Sequence, residues 1–214
     1  MQESTRRTAQ THQRPEQALL IDVPRGIALT ERAEEARRWA HQYATLGWSV
    51  TPSCGGHREW CFAPDRHPAG PAWRDELTTD AEALNRLWDA RPAAYGVIAG
   101  TGPDRGLTAL RVTGPMWSRV VVALAAAGIE APVMRLAAAY DRGPERLYVI
   151  TAAEAEPVPE GPWADLIAVH PSGFPLPLPA ASRGGHAQWA AMPGGLPLPT
   201  ARDVFAALAP LYLS

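Results

Sequence analysis

The stretch "GLTALRVTGP", Gly106 to Pro115, decides how this sequence is read. Glycine opens it and Gly-Pro closes it, so it forms one short element between chain breakers. Inside it, Thr108, Leu110 and Val112 fall on one side, and Leu107, Ala109, Arg111 and Thr113 on the other. That is the period of a β-strand. Arg111 and Thr113, two residues apart, therefore share a face at the end of the strand. What a cation and a hydroxyl do there is the functional question.

Working outward, "YGVIAG" (95–100) reads as the preceding strand, joined to 107–112 by the Gly/Pro turn "TGPDR". Upstream, "TERAEEARRWAHQYATL" (30–46) carries apolar residues at helical spacing, with Thr30 as a cap and Gly47 at the C′ position. "WSVTP" (48–52) follows as a short strand. Thr79-x-x-Glu82 has the form of a capping box opening a second helix, with Leu84, Leu87 and Trp88 inward. Downstream, Pro115 starts a third helix that Gly128 closes. "PVMRLAA" and "RLYVIT" flank the turn "YDRGPE" as a hairpin-like pair, and "DLIAV", "PLPLPA" and "AQWAAM" read as further extended segments. A last helix runs from Thr200 to Leu208. This order of helices and local hairpins predicts an α+β domain with helices packed on a largely antiparallel or mixed sheet.

Composition sets the outer bounds. A chain of 214 residues with 46% hydrophobic and 20% charged content can bury a real core. The expected organisation is a disordered polar tail over 1–27 and one domain over 28–214. No run approaches the roughly 18 apolar residues of a transmembrane helix, so no membrane association is expected. The first residues have no apolar core of a secretory signal, and two cysteines are too few for a secreted disulfide framework, so a cytoplasmic location is the default. The net charge of −2 gives no global basic footprint for non-specific DNA binding. All 20 basic side chains are arginine, so any phosphate contact falls to Arg, His or backbone N–H, and lysine chemistry is excluded. There is no Walker loop, no G-x-G-x-x-G and no G-x-S-x-G. Neither cysteine has the acid–base context of a nucleophile.

The irregular stretch 53–78 is long for a compact domain. It places Cys54, His57, Cys61 and His67 in a C-x2-H-x3-C-x5-H spacing, and two sulfurs with two imidazoles can complete a tetrahedral zinc shell. The alternative is that the cysteines are reduced packing residues and the histidines serve other ends. Trp60, Phe62 and Trp73 are the loop's apolar anchors.

Taken in order, these segments resemble a known family. "YATLGWSVTP", a Cys-bearing loop ending in "DRHP", then "LTTDAEALNRLWDARPAAYGVIAGTGPDRGLTALRV", "GPERLYVI" and "PLPLPAASRGGHAQWAAMPGGLPLP" are similar to the bifunctional DNA primase/polymerase (Prim-Pol) domain of the archaeo-eukaryotic primase superfamily. The resemblance covers roughly residues 36–208, and its weight lies in the order of several weak motifs. It implies a two-lobed fold around an RRM-like mixed sheet, and nucleotidyl transfer assisted by Mg²⁺ or Mn²⁺. Such a site has two aspartates at i and i+2 on a strand, roughly 7 Å apart along the backbone, sharing divalent metals. A third acid stands on a later strand, and a histidine contacts the incoming nucleotide.

Carried onto this chain, the aspartate pair falls on Arg111 and Thr113, the histidine near Arg146, and the third acid loosely on Asp165. The family's Gly-Lys-His-Pro turn becomes Asp65-Arg66-His67-Pro68. Asp104 and Asp141 have no i, i+2 acidic partner and read as turn residues. Three functions are then open. The first is a protein without polymerase activity whose cleft binds nucleotide or nucleic acid through Arg66, His67, Arg111 and Arg146. The second is an active primase/polymerase with an atypical metal site. The third is a regulatory or protein-interaction module that keeps only the fold, with "PLPLPAA" as one candidate contact segment.

Overall fold

A computed structural model describes residues 29–54, 67–113, 117–137, 145–153, 166–170, 172–180, 187–194 and 197–213. The fold is α+β. Its strands form two antiparallel sheets. One has three strands in the order β1 (Val50–Pro52), β2 (Val97–Gly100), β7 (Pro175–Leu178). The other has five, in the order β6 (Ile167–Val169), β3 (Thr108–Val112), β5 (Arg146–Thr151), β4 (Val133–Leu136), β8 (Ala187–Ala191). Of the largely antiparallel or mixed sheet expected from the element order, the described strands form the antiparallel alternative: every described pairing is antiparallel, and the RRM-like mixed sheet that the resemblance implies has no parallel pair among them.

The alternation in β3 sorts the two sides of the large sheet. Leu107 and Ala109 enter one core cluster with α1 (Leu29–Thr45) and α3 (Ala81–Asp89), together with Val50, Val97, Ala99, Leu176 and Leu178 of the small sheet. Leu110 and Val112 enter a second cluster with α4 (Trp117–Ala126) and α5 (Ala201–Leu208). One face of the large sheet is therefore covered by helices and the other by the small sheet and its helices. Each fully buried large side chain, Leu84, Leu107 or Leu208 for example, contributes about 1.5–3 kcal/mol.

Tyr43 of α1 ties the two layers together. Its hydroxyl donates to the Pro179 carbonyl just past β7 and accepts from Trp189 Nε1 of β8 at 3.1 Å. Its ring stacks on Trp39 and Trp48, each at 5.5 Å. Burial pushes this phenol well above its usual range, so it stays a protonated donor.

Three further expectations can be placed. Gly47 at φ +81 ends α1, and Trp48 N–H reaches back to the Tyr43 carbonyl at 3.1 Å. The second helix is capped one residue later than expected: Asp80 Oδ1 accepts from Ala83 N–H at 2.7 Å, so Asp80 and not Thr79 is the cap. Glu82 then lies too early to reach back as a capping-box acid, and pairs instead with Arg86 at 3.8 Å. The stretch 53–78 is pinned at its described ends by the bridges Ser53 to Pro68 and Val50 to Thr78. A helical turn, α2 (Trp73–Glu76), buries Trp73 there. Trp60 and Phe62 lie outside the described residues, as do the expected tail, Pro115 and the turn "YDRGP" with Asp141.

Candidate functional site

The large sheet brings together three of the residues singled out by sequence. Arg111 of β3 pairs with Tyr148 of β5 and Val112 with Leu147, so Thr113 falls on the next rung, opposite Arg146. Alternation then places Arg111, Thr113, Arg146 and Tyr148 on one face, the face turned toward the small sheet. On the other flank Arg111 pairs with Ala168 of β6. The ladder runs on as His170 N–H donates to the Ala109 carbonyl at 3.0 Å, which sets His170 on this same face.

His170 was not evident from the sequence, and it changes the site. Its ring stacks on Phe174 at 3.8 Å and tilts over Tyr148 at 5.4 Å. Burial, then the nearby charges of Arg111 and Arg146, push its pKa down to about 4. The imidazole is therefore neutral at ordinary pH, first because it is buried and then because two guanidiniums stand near it. Both Arg111 Nε and His170 Nε2 are buried without a hydrogen-bond partner. Among the described residues no carboxylate pairs with Arg111 or Arg146. The signal that could have found these residues is the same period-2 alternation: Tyr148 follows Arg146 by two residues, and His170 follows Ala168 by two. Only the strand pairing reveals that the two alternations meet.

Between the sheets, beside Arg146, opens a pocket of about 280 Å³. Leu136, Arg146 and Tyr148 of the large sheet line one side, and Pro175 and Pro177 of the small sheet with Phe174 just before β7 the other.

Thr113 is exposed, and its backbone is fixed at both ends. Its N–H donates to the Leu166 carbonyl at 2.8 Å, and its carbonyl accepts from the Tyr212 hydroxyl at 3.0 Å. Asp104 sits exposed in a 3₁₀ turn (Pro103–Arg105), as a turn residue should. Asp165 and Arg66 lie outside the described residues. So do His57 and Cys61, two of the four residues considered for zinc. The other two are neighbours: Cys54, buried, donates its N–H to the His67 carbonyl at 2.8 Å, and His67 Nδ1 lies 3.0 Å from the Pro68 carbonyl. Among the described residues no cluster of three or more His, Cys, Asp or Glu could hold a metal ion.

The fold and this site define an α+β domain with a cationic cleft between two antiparallel sheets. The family model described as bifunctional DNA primase/polymerase, N-terminal (Prim-Pol), matches residues 40–203, and the chain belongs to that family. No curated protein and no solved structure matches it. Among the described residues no helix is long and apolar enough to cross a membrane.

The divalent-metal chemistry implied by that family does not fit the side chains placed here. The positions that β3, β5 and β6 present together are Arg111, Thr113, Arg146 and Ala168, none of them a carboxylate. Hard dications take several oxygen ligands, and two guanidiniums repel them.

Proposed function

We propose that this primase/polymerase-family domain does not carry out nucleotidyl transfer and instead binds a phosphate-bearing ligand, a nucleotide or a nucleic-acid strand, directly on arginine. The observation that carries this reading is the buried Arg111 Nε with no partner, beside a buried His170 Nε2 that also has none. Leaving such a nitrogen dry costs about 1–3 kcal/mol, and more when the group is charged. A phosphate oxygen entering the cleft supplies the missing acceptor. The planar guanidinium offers two parallel N–H donors to it, and Arg146 adds a second cation at the exposed rim. Neutral His170 can donate a ring N–H without adding charge repulsion.

The positions that hold metal in the family would then hold phosphate with no metal between. The test is titration of ATP and of single-stranded DNA into the wild type and Arg111→Ala, followed by primer extension with Mg²⁺ and with Mn²⁺. Binding lost in the variant, and no extension by either protein, is the expected result. Equal or absent binding in both would leave a protein-interaction role as the better account.

A further inference from the structure

Of the four edges of the two described sheets, three are short or blocked. On the small sheet, β1 is bridged to Thr78 and Pro68, and β7 carries Pro175 and Pro177, which have no N–H to offer an added strand. On the large sheet, β6 is only three residues long. The fourth edge, β8, runs for five residues with neither a charge nor a proline to blunt it. A bulge bends it, since Ala190 has no partner on β4. Even so, among the described residues β4 is the only strand whose backbone bonds to β8. The helical layer stops at the same place. Beyond α4, over β4 and β8, lies an apolar pocket of about 440 Å³. Val121, Leu124 and Ala125 of α4 form one wall, and Ala191 and Met192 at the end of β8 form another. Met192 is 62% exposed, and Ala125 is exposed as well. The one charged lining residue, Glu130, comes only after α4 has ended.

We propose that β8 pairs antiparallel with β8 of a second copy of this chain, across a two-fold axis. An antiparallel edge is complementary to itself, because the two-fold relating two such strands stands perpendicular to the sheet and meets each N–H with a C=O. A residue beside that axis faces its own copy, so any charge there would repel; β8 and Met192 carry none. The same rotation brings the second copy's α4 alongside the first and closes the pocket beyond it, with Met192 from each copy filling the gap. A lone foreign strand would satisfy the edge but leave that pocket open, which is why a second copy is the better occupant. The two five-stranded sheets then run on as one, with both Arg111 clefts on the same side.

Sedimentation equilibrium on the full chain tests this. The mass is expected to rise from 23.0 kDa toward twice that value as concentration increases. Met192→Lys and Ala125→Lys place like charges across the axis and should each weaken the dimer about tenfold or more. Both positions are exposed, so neither change threatens the fold. Val122→Lys is the control: Val122 is 66% exposed on α4 but does not line the pocket, and the substitution should leave the dimer unchanged. Hydrogen exchange of the β8 amides should slow as the wild type is concentrated, and should not slow in Met192→Lys. A mass of 23.0 kDa at every concentration would overturn the proposal. So would a dimer that Val122→Lys weakens and Met192→Lys does not, since its interface would lie elsewhere. Amides of β8 equally protected at low and high concentration would also overturn it, because the edge would then be covered within a single chain.

Discussion

Arg111 and His170 stand on neighbouring strands of one sheet face, and the guanidinium helps to hold the imidazole neutral. Burial is the larger cause, with Arg111 and then Arg146 adding to it, and together they push His170 from 6.5 to about 4. An unfolded imidazole takes up its proton below about 6.5, whereas the folded one waits until about 4. Between those values the unfolded state binds more protons, so this group's contribution is fully present above pH 6.5 and is lost as the pH falls toward 4. The ring is partly solvated, which discounts the effect to on the order of 1–2 kcal/mol. Carboxylates titrate in the same window, so the useful readout is a difference. His170→Gln should show a shallower fall in urea midpoint than the wild type between pH 6.5 and 4. Parallel curves for the two proteins would mean that His170 titrates normally.

Arg111 itself is predicted to lower stability in the absence of ligand. A charged group with a buried, unpartnered nitrogen costs free energy that a methionine of similar length does not. Arg111→Met should therefore keep or raise the melting temperature of the ligand-free protein while abolishing the rise that ATP produces in the wild type. A large loss of stability in Arg111→Met would show that the arginine serves the fold.

The cap of α3 gives a test of local structure. Asp80 accepts the Ala83 N–H, and Thr79 makes no such bond in the structure. Asp80→Ala should cost about 1 kcal/mol, roughly 2–4 °C of melting temperature for a chain of this size. Thr79→Ala should be close to neutral. The reverse order would restore Thr79 as the cap.

Much of this architecture is written in local chemistry. The period of β3 predicts that Arg111 and Thr113 share a face, while the different coverings of its two sides emerge only from the packing. Gly47 and Gly128 marked helix ends, and both take positive φ. The cap of α3 was misplaced by one residue because Thr79 and Asp80 are both capping types, and only the backbone at Asp80, extended at φ −77 and ψ 125, separates them. The site was half legible. Arg111, Thr113 and Arg146 could be aligned one by one, but the place of His170 depends on β6 pairing with β3 across more than fifty residues of chain. No short-range pattern encodes that pairing. The same holds for the pocket lined by Phe174 and Pro177, which forms where the small sheet meets the large one.

Gly106 is predicted to be irreplaceable for a reason the sequence does not show. It takes φ +86, and a Cβ built there would lie 2.2 Å from the Gly47 carbonyl oxygen. The turn before β3 thus packs backbone to backbone against the end of α1. Gly128 also takes a positive φ, +70, but a Cβ there meets nothing within 4 Å. Gly128→Ala should cost about 1 kcal/mol from backbone strain alone. Gly106→Ala should cost about 3 kcal/mol, the strain plus a clash that only backbone movement relieves. Chemical denaturation of the two variants compares them directly, and equal losses would mean that the turn does not press on Gly47.

The charge of the cleft makes a last prediction about metals. In a two-metal polymerase site the dication neutralises the triphosphate and ligand binding depends on it. Here Arg111 and Arg146 already provide positive charge, and no carboxylate among the described residues pairs with either of them. Magnesium bound to the triphosphate lowers the negative charge available to the two guanidiniums. Millimolar Mg²⁺ should therefore weaken ATP binding relative to EDTA, where a polymerase would show the opposite. Raising the salt concentration should weaken it further, since Arg146 is exposed and its attraction is screened within a Debye length of about 10 Å at 0.1 M. Tighter binding with Mg²⁺ would place a metal in the cleft and return the protein to the catalytic members of its family.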